Sequence, residues 1–193
     1  TWAYEFGPRR WTMTTSTSPM GTPYGTIAKY DAATGLVYVR DNYHFYSYDP
    51  RTRAYRQISS SSQYIDYRLT GAIDTKRRKL MVLGNGVQVI DLATGATTNM
   101  ATSNAPPFAT STQSPGFAYD PVADRMVAWH GGANVYALNI DTGVWTQVAS
   151  GAGPSSVAPT QGTFGRWGYV PAYRVFVMVN SIDENAWVFK LTP

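Results

Sequence analysis

The strongest constraint on this chain is that it repeats itself. An apolar strand ending in an acidic turn, followed by a second apolar strand, occurs as Ile27-Ala-Lys-Tyr-Asp31 before Leu36-Val-Tyr-Val-Arg40. It returns as Gly71-Ala-Ile-Asp74 before Leu80-Met-Val-Leu83, and as Phe117-Ala-Tyr-Asp120 before Arg125-Met-Val-Ala-Trp129. The fourth copy is Trp167-Gly-Tyr-Val170 before Val175-Phe-Val-Met-Val179. The turn residues Asp31, Asp74, Asp120 and Val170 stand 43, 46 and 50 positions apart. A second hairpin follows each of the first three, with Asp49, Asp91 and Asp141 expected to open its turn, 42 and 50 apart. Asp, Pro, Thr and Gly at these places suit tight turns: a carboxylate that caps backbone N–H groups, a preset φ, and tolerance of positive φ. No apolar spacing of the helical kind is sustained anywhere. Four-stranded antiparallel units at this period predict an all-β fold, a β-propeller of about four blades. The blades are expected over residues 25–58, 67–99, 114–148 and 162–191.

Composition narrows the class further. With no Cys in 193 residues, there is no disulfide framework, thiolate metal site or cysteine nucleophile. No apolar run is long enough to make a membrane-spanning helix, and neither a metal site nor a cofactor is expected. The net charge of +4 is scattered apart from Lys76-Arg77-Arg78-Lys79, which falls in a predicted turn. A nucleic-acid partner would call for a basic stripe instead. Sparse lysine with abundant Thr, Ser, Asn and Tyr points to an extracellular or periplasmic setting.

The third unit, with Gly131-Gly132 after its second strand and then Tyr136 and Trp145, resembles a Kelch repeat. The first unit has the similar Tyr48-Asp49-Pro50 and Thr52, with Tyr55 in the Trp position; the second is degenerate and the fourth lacks the glycine pair. The resemblance implies a propeller and leaves the activity open. It also argues against the chemistry of the galactose oxidases of that superfamily, whose cofactor needs a Cys crosslinked to Tyr.

The ends leave two architectures open. Ala186-Trp-Val-Phe-Lys-Leu191 reads as the third strand of the last blade, and Arg10-Trp-Thr-Met-Thr14 is a plausible fourth. Residues 1–15 would then be a strand or hairpin completing a terminal blade, giving a complete small ring. Trp2-Ala-Tyr-Glu-Phe6 is surplus to that scheme and fits part of a larger propeller, completed by a longer parent chain or by self-association.

Strand direction puts the second-to-third-strand loops and the long blade-to-blade connections (59–66, 101–115 and 150–162) on one face, where a ligand is expected. Candidate ligand-binding residues there are Asp41, Asn42, Arg68, Trp129, Arg166, Asn180, Asp183 and Asn185, with His44, His130 and Tyr43 as catalytic candidates. Imidazole, amide, carboxylate and aromatic groups together suit hydroxyl-rich ligands. Arg68 and Arg166 would either fork onto an anion in the central funnel or pair with Asp66 and backbone carbonyls. Three functions compete. The foremost is a non-catalytic recognition module, secreted or surface-displayed, binding glycan or protein. A polysaccharide lyase would use His or Tyr as base and Arg to neutralise the substrate acid. A structural subunit would assemble through exposed strand edges.

Overall fold

The computed structural model of the chain describes residues 1–15, 17–20, 25–60, 68–111, 114–149, 153–154 and 162–191. Most of the residues of two expected blade-to-blade loops, 59–66 and 150–162, lie outside these. Strands account for almost all regular structure, and the sheets follow the repeat. The first blade is β3 (Ile27–Asp31), β4 (Leu36–Arg40), β5 (His44–Asp49) and β6 (Ala54–Ser60), preceded by a separate hairpin of β1 (Trp2–Glu5) and β2 (Arg10–Met13). The second is β7 (Thr70–Asp74), β8 (Lys79–Leu83), β9 (Val87–Asp91) and β10 (Thr97–Met100). The third is β11 (Gly116–Asp120), β12 (Arg125–Trp129), β13 (Asn134–Asn139) and β14 (Trp145–Ala149). The fourth has three strands, β15 (Trp167–Val170), β16 (Val175–Met178) and β17 (Trp187–Phe189). All neighbours within these sheets are antiparallel, and the inner strands β3, β7, β11 and β15 lie side by side in chain order. The chain is a four-bladed β-propeller arrangement.

In the first three blades one side chain organises each of the repeated turns, whereas the turn at Val170 is held by backbone hydrogen bonds from Tyr173 and Arg174. The Oδ1 of Asp74 accepts the N–H groups of Lys76 and Arg77, and that of Asp120 those of Val122 and Ala123. Asp91 does the same for Ala93 and Thr94. Four residues after the opener the chain takes a positive φ, at Gly35, Arg53, Arg78, Gly95, Asp124, Gly143 and Arg174. One expected opener is corrected: in the third blade Asn139, not Asp141, accepts the N–H groups, from Asp141 and Thr142. An amide oxygen serves there as well as a carboxylate, and Asp141 is left outside to meet Arg77 at 2.8 Å.

Each blade has one face toward the preceding blade and one toward the following, and the core is the set of sandwiches between them. Ile27, Tyr38 and Phe45 of the first blade pack on Ile73, Leu80, Val82 and Ile90 of the second. The opposite face of the second, with Ala72, Met81 and Leu83, packs on Phe117, Tyr119 and Met126 of the third. Ala118, Val127 and Trp129 then pack on Trp167, Phe176 and Met178 of the fourth. Alternation along each strand thus divides the side chains between two buried faces, which is why these strands read as nearly continuous apolar runs.

The turn ends of the blades are tied by ion pairs. All four cations of the 76–79 cluster have carboxylate partners: Lys76 pairs with Asp124, Arg77 with Asp74, Asp124 and Asp141, Arg78 with Asp31, and Lys79 with Asp91.

The N-terminal segment departs from the ring-closing expectation. Residues 10–13 pair with residues 2–5 and not with the fourth blade. The hairpin lies against the first blade, where Thr14 Oγ1 meets the Tyr48 hydroxyl at 2.9 Å and Thr1 Oγ1 meets that of Tyr55 at 2.7 Å. Val37, Val39 and Tyr48 of the first blade line a cleft with Thr1, Ala3 and Thr14 of the N-terminal segment.

Candidate functional site

The loop of the first blade is built around Arg40 and Asp41, both fully buried. The Arg40 guanidinium donates to the carbonyls of Asp41 and His44. Asp41 Oδ1 accepts the N–H groups of Tyr43 at 2.8 Å and His44 at 2.6 Å. Asp41 is therefore engaged in shaping its own loop, and Asn42 is buried beside it. Tyr43 projects into solvent, while His44 is half-buried between Tyr43 and Tyr46, its Nδ1 3.5 Å from Asp41 Oδ1.

The candidates of the third and fourth blades sit elsewhere. His130 packs on Phe108, with ring centroids 5.4 Å apart, and burial pushes its pKa down. Arg166 donates to three backbone carbonyls, of Thr163, Gly162 and Asn180, and so fastens the entry to β15 onto the loop after β16. Asn180 is buried at that junction, whereas Asp183 and Asn185 are exposed further along the loop. Arg68 is exposed, and its carbonyl accepts the Ser114 N–H at 2.6 Å; Asp66, its expected partner, lies outside the described residues. The site candidates are thus spread over all four blades, with Arg68 at the entry to the second and its carbonyl joined through Ser114 to Thr163 at the entry to the fourth.

What the third and fourth blades do assemble is an aromatic cleft of about 260 Å³, bounded by Trp129, Trp167, Trp187, Phe189, Gly132 and Pro154. Strand register explains it. Gly116, Trp129 and Val135 lie opposite one another across β11, β12 and β13. The facing row across β15, β16 and β17 is Trp167, Met178 and Trp187. Trp129 and Trp167 stack at 6.3 Å and 12°, and Trp167 continues onto Phe176 at 5.0 Å and 16°. Gly116 permits this approach, since a Cβ there would fall 2.5 Å from Cβ of Trp167. Trp129 Nε1 is satisfied by the Gly132 carbonyl at 2.8 Å. Trp167 Nε1 is buried and has no hydrogen-bond partner among the described residues.

Of this cleft the sequence singled out Trp129. Trp167 and Trp187 are not among its candidates, because their convergence depends on the register between β15 and β17, which no local motif encodes. Among the described residues no group of three or more His, Cys, Asp or Glu side chains is placed to hold a metal ion.

No family model and no curated protein matches the chain. Solved structures do share its fold. A dihydro-heme d1 dehydrogenase, NirN, in complex with DHE superposes with a TM-score of 0.53 at 12% identity, over 88% of this chain and 36% of that one. The hydrazine synthase of Kuenenia stuttgartiensis gives 0.55 at 11% identity, over 92% and 49%. A nidogen/laminin complex gives 0.57 at 11% identity, over 85% and 59%. The fold is a β-propeller. The chain spans less than two thirds of the length of each of these structures, and identities this low establish fold alone.

Proposed function

We propose that this chain is a non-catalytic recognition module, of Kelch-like kind and displayed outside the cytoplasm, that binds a glycan in the cleft between its third and fourth blades. The observation that carries this reading is the convergence of Trp129, Trp167 and Trp187 on one cleft, with Trp167 Nε1 lacking a partner. Trp129 and Trp167 are buried and stacked on one another, so the half-buried Trp187 is the indole that offers a sugar ring a flat apolar surface with one donor at its edge. A small number of placed polar groups in an otherwise apolar cleft is the usual make-up of a ligand site. The loops at Gly132 and Pro154 border it, as a binding site on the loop face of a rigid scaffold requires.

Catalysis has less to draw on. The Arg166 guanidinium is engaged with three carbonyls, and Tyr43 and His44 belong to a different blade from the cleft. The test is titration of intrinsic tryptophan fluorescence with neutral and acidic oligosaccharides, paired with calorimetry. Saturable binding is expected, weakened roughly tenfold or more by Trp187→Ala with unchanged circular dichroism. Absence of saturable binding across the panel overturns the proposal. So does ultraviolet-absorbing product released from the acidic polysaccharides.

A further inference from the structure

The repeat makes the two ends of the blade array interpretable. Within the chain, every face turned toward a following blade is covered. Met81 lies across from Ala72 and Val89, Val127 lies across from Ala118 and Ala137, and both Met81 and Val127 are fully buried against the next blade. Val177 occupies the same place in the fourth blade, across from Gly168 and Val188. Here nothing among the described residues follows: Val188 is 66% exposed, and Val177 and Val170 are only half-buried.

The other end mirrors this. One face of the β1–β2 hairpin carries Thr12, Glu5 and Arg10, with Thr12 Oγ1 donating to Glu5 at 2.8 Å. Its outer face carries Trp2, Tyr4, Phe6, Trp11 and Met13, between 39 and 85% exposed. Tyr4 contacts both Phe6 and Trp11, so these rings form one continuous patch. Within their strands neither end face bears a charged side chain. The hairpin face alone is on the order of 500 Å², taking ~150–250 Å² for each large side chain, which is at the upper limit for patches on monomers.

We infer that the two end faces are complementary docking surfaces, the valine face of one copy of the chain receiving the aromatic hairpin of a second. The argument is continuity with the interfaces inside the chain, where the apolar following face of each blade meets the apolar preceding face of the next, and where aliphatic Ala72, Met81 and Leu83 of the second blade meet aromatic Phe117 and Tyr119 of the third. One such contact falls short of the ~800 Å² per partner that a stable interface buries. Two contacts reach it, so the assembly is a closed pair in which each copy gives one hairpin and one valine face.

Sedimentation velocity on the full chain, over a wide concentration range, tests this. The unaltered chain is expected to be dimeric, and Trp11→Ser or Val188→Asp alone to weaken the dimer roughly tenfold or more. Both positions are exposed, and circular dichroism identifies a variant that fails to fold. A monomer at all concentrations overturns the inference, as does an open-ended polymer. A Val188→Asp chain that still dimerises as well as the unaltered one points to hairpin-on-hairpin contact and also overturns it.

Discussion

Arg78 of the second blade holds Asp31 of the first through two parallel hydrogen bonds, of 2.8 and 2.6 Å, between one turn and the next. The carboxylate is wholly buried and also accepts from Thr34 and from the Ala33 N–H. The Arg78 hydrogen bonds lower its pKa from 3.8 to about 2. In the unfolded chain the same carboxyl protonates near 3.8. The stabilisation is therefore complete above pH ~4 and lost as pH falls toward ~2, an amount of about 2 kcal/mol. Asp31→Asn should destabilise by that amount at neutral pH, measured by urea unfolding. The difference from the unaltered chain should shrink as pH falls through that range.

Arg77 joins more of the structure than any neighbouring cation. It forks onto Asp124 at 2.7 and 2.9 Å, reaches the buried Asp74 at 3.0 Å, and meets Asp141 of the third blade. Arg77→Met removes the one guanidinium shared by three carboxylates and leaves Asp74 buried beside them. Breaking such a group costs about 3 kcal/mol, read as a lowered urea midpoint. Arg77→Lys should recover little of the loss, because an ammonium cannot reproduce the forked geometry.

These pairs show which parts of the fold are written locally. The turns were legible because an Asp two residues from the N–H groups it caps needs no distant partner. The period was legible because each blade has the same two faces to bury. Asn139 escaped notice because Asp141, followed by Thr142-Gly143, carries the commoner turn signature. The ion pairs between turns, the seat of the hairpin on the first blade, and the meeting of Trp129, Trp167 and Trp187 depend on which blade faces which and in what register. A single sequence does not carry that information in any one segment.

Gly35 and Gly143 separate backbone strain from crowding. They have nearly the same φ, +72° and +71°, but a Cβ on Gly35 meets open space and one on Gly143 runs into the Ala101 carbonyl. Gly35→Ala should cost only the left-handed conformation, about 1 kcal/mol. Gly143→Ala should cost clearly more, since that carbonyl belongs to backbone that must move. Thermal unfolding of the two variants side by side checks the difference, and equal losses would refute it.

Gly116 connects stability to the proposed site. Its backbone is not in the left-handed region, so Gly116→Ala adds no torsional penalty, only a methyl group 2.5 Å from Trp167 Cβ and 2.6 Å from its Cγ. The contact is with the root of the indole rather than its flexible end, so rotation of the ring cannot relieve it. The fourth blade must shift away from the third, parting Trp129 from Trp167. Overpacking of this kind costs about 1–3 kcal/mol. The shift should also admit water to the stacked indoles, moving tryptophan emission to longer wavelength while the strand signal in circular dichroism persists. An alanine variant with unchanged stability and unchanged emission would show that the Trp129–Trp167 stack is not what sets the spacing of the two blades.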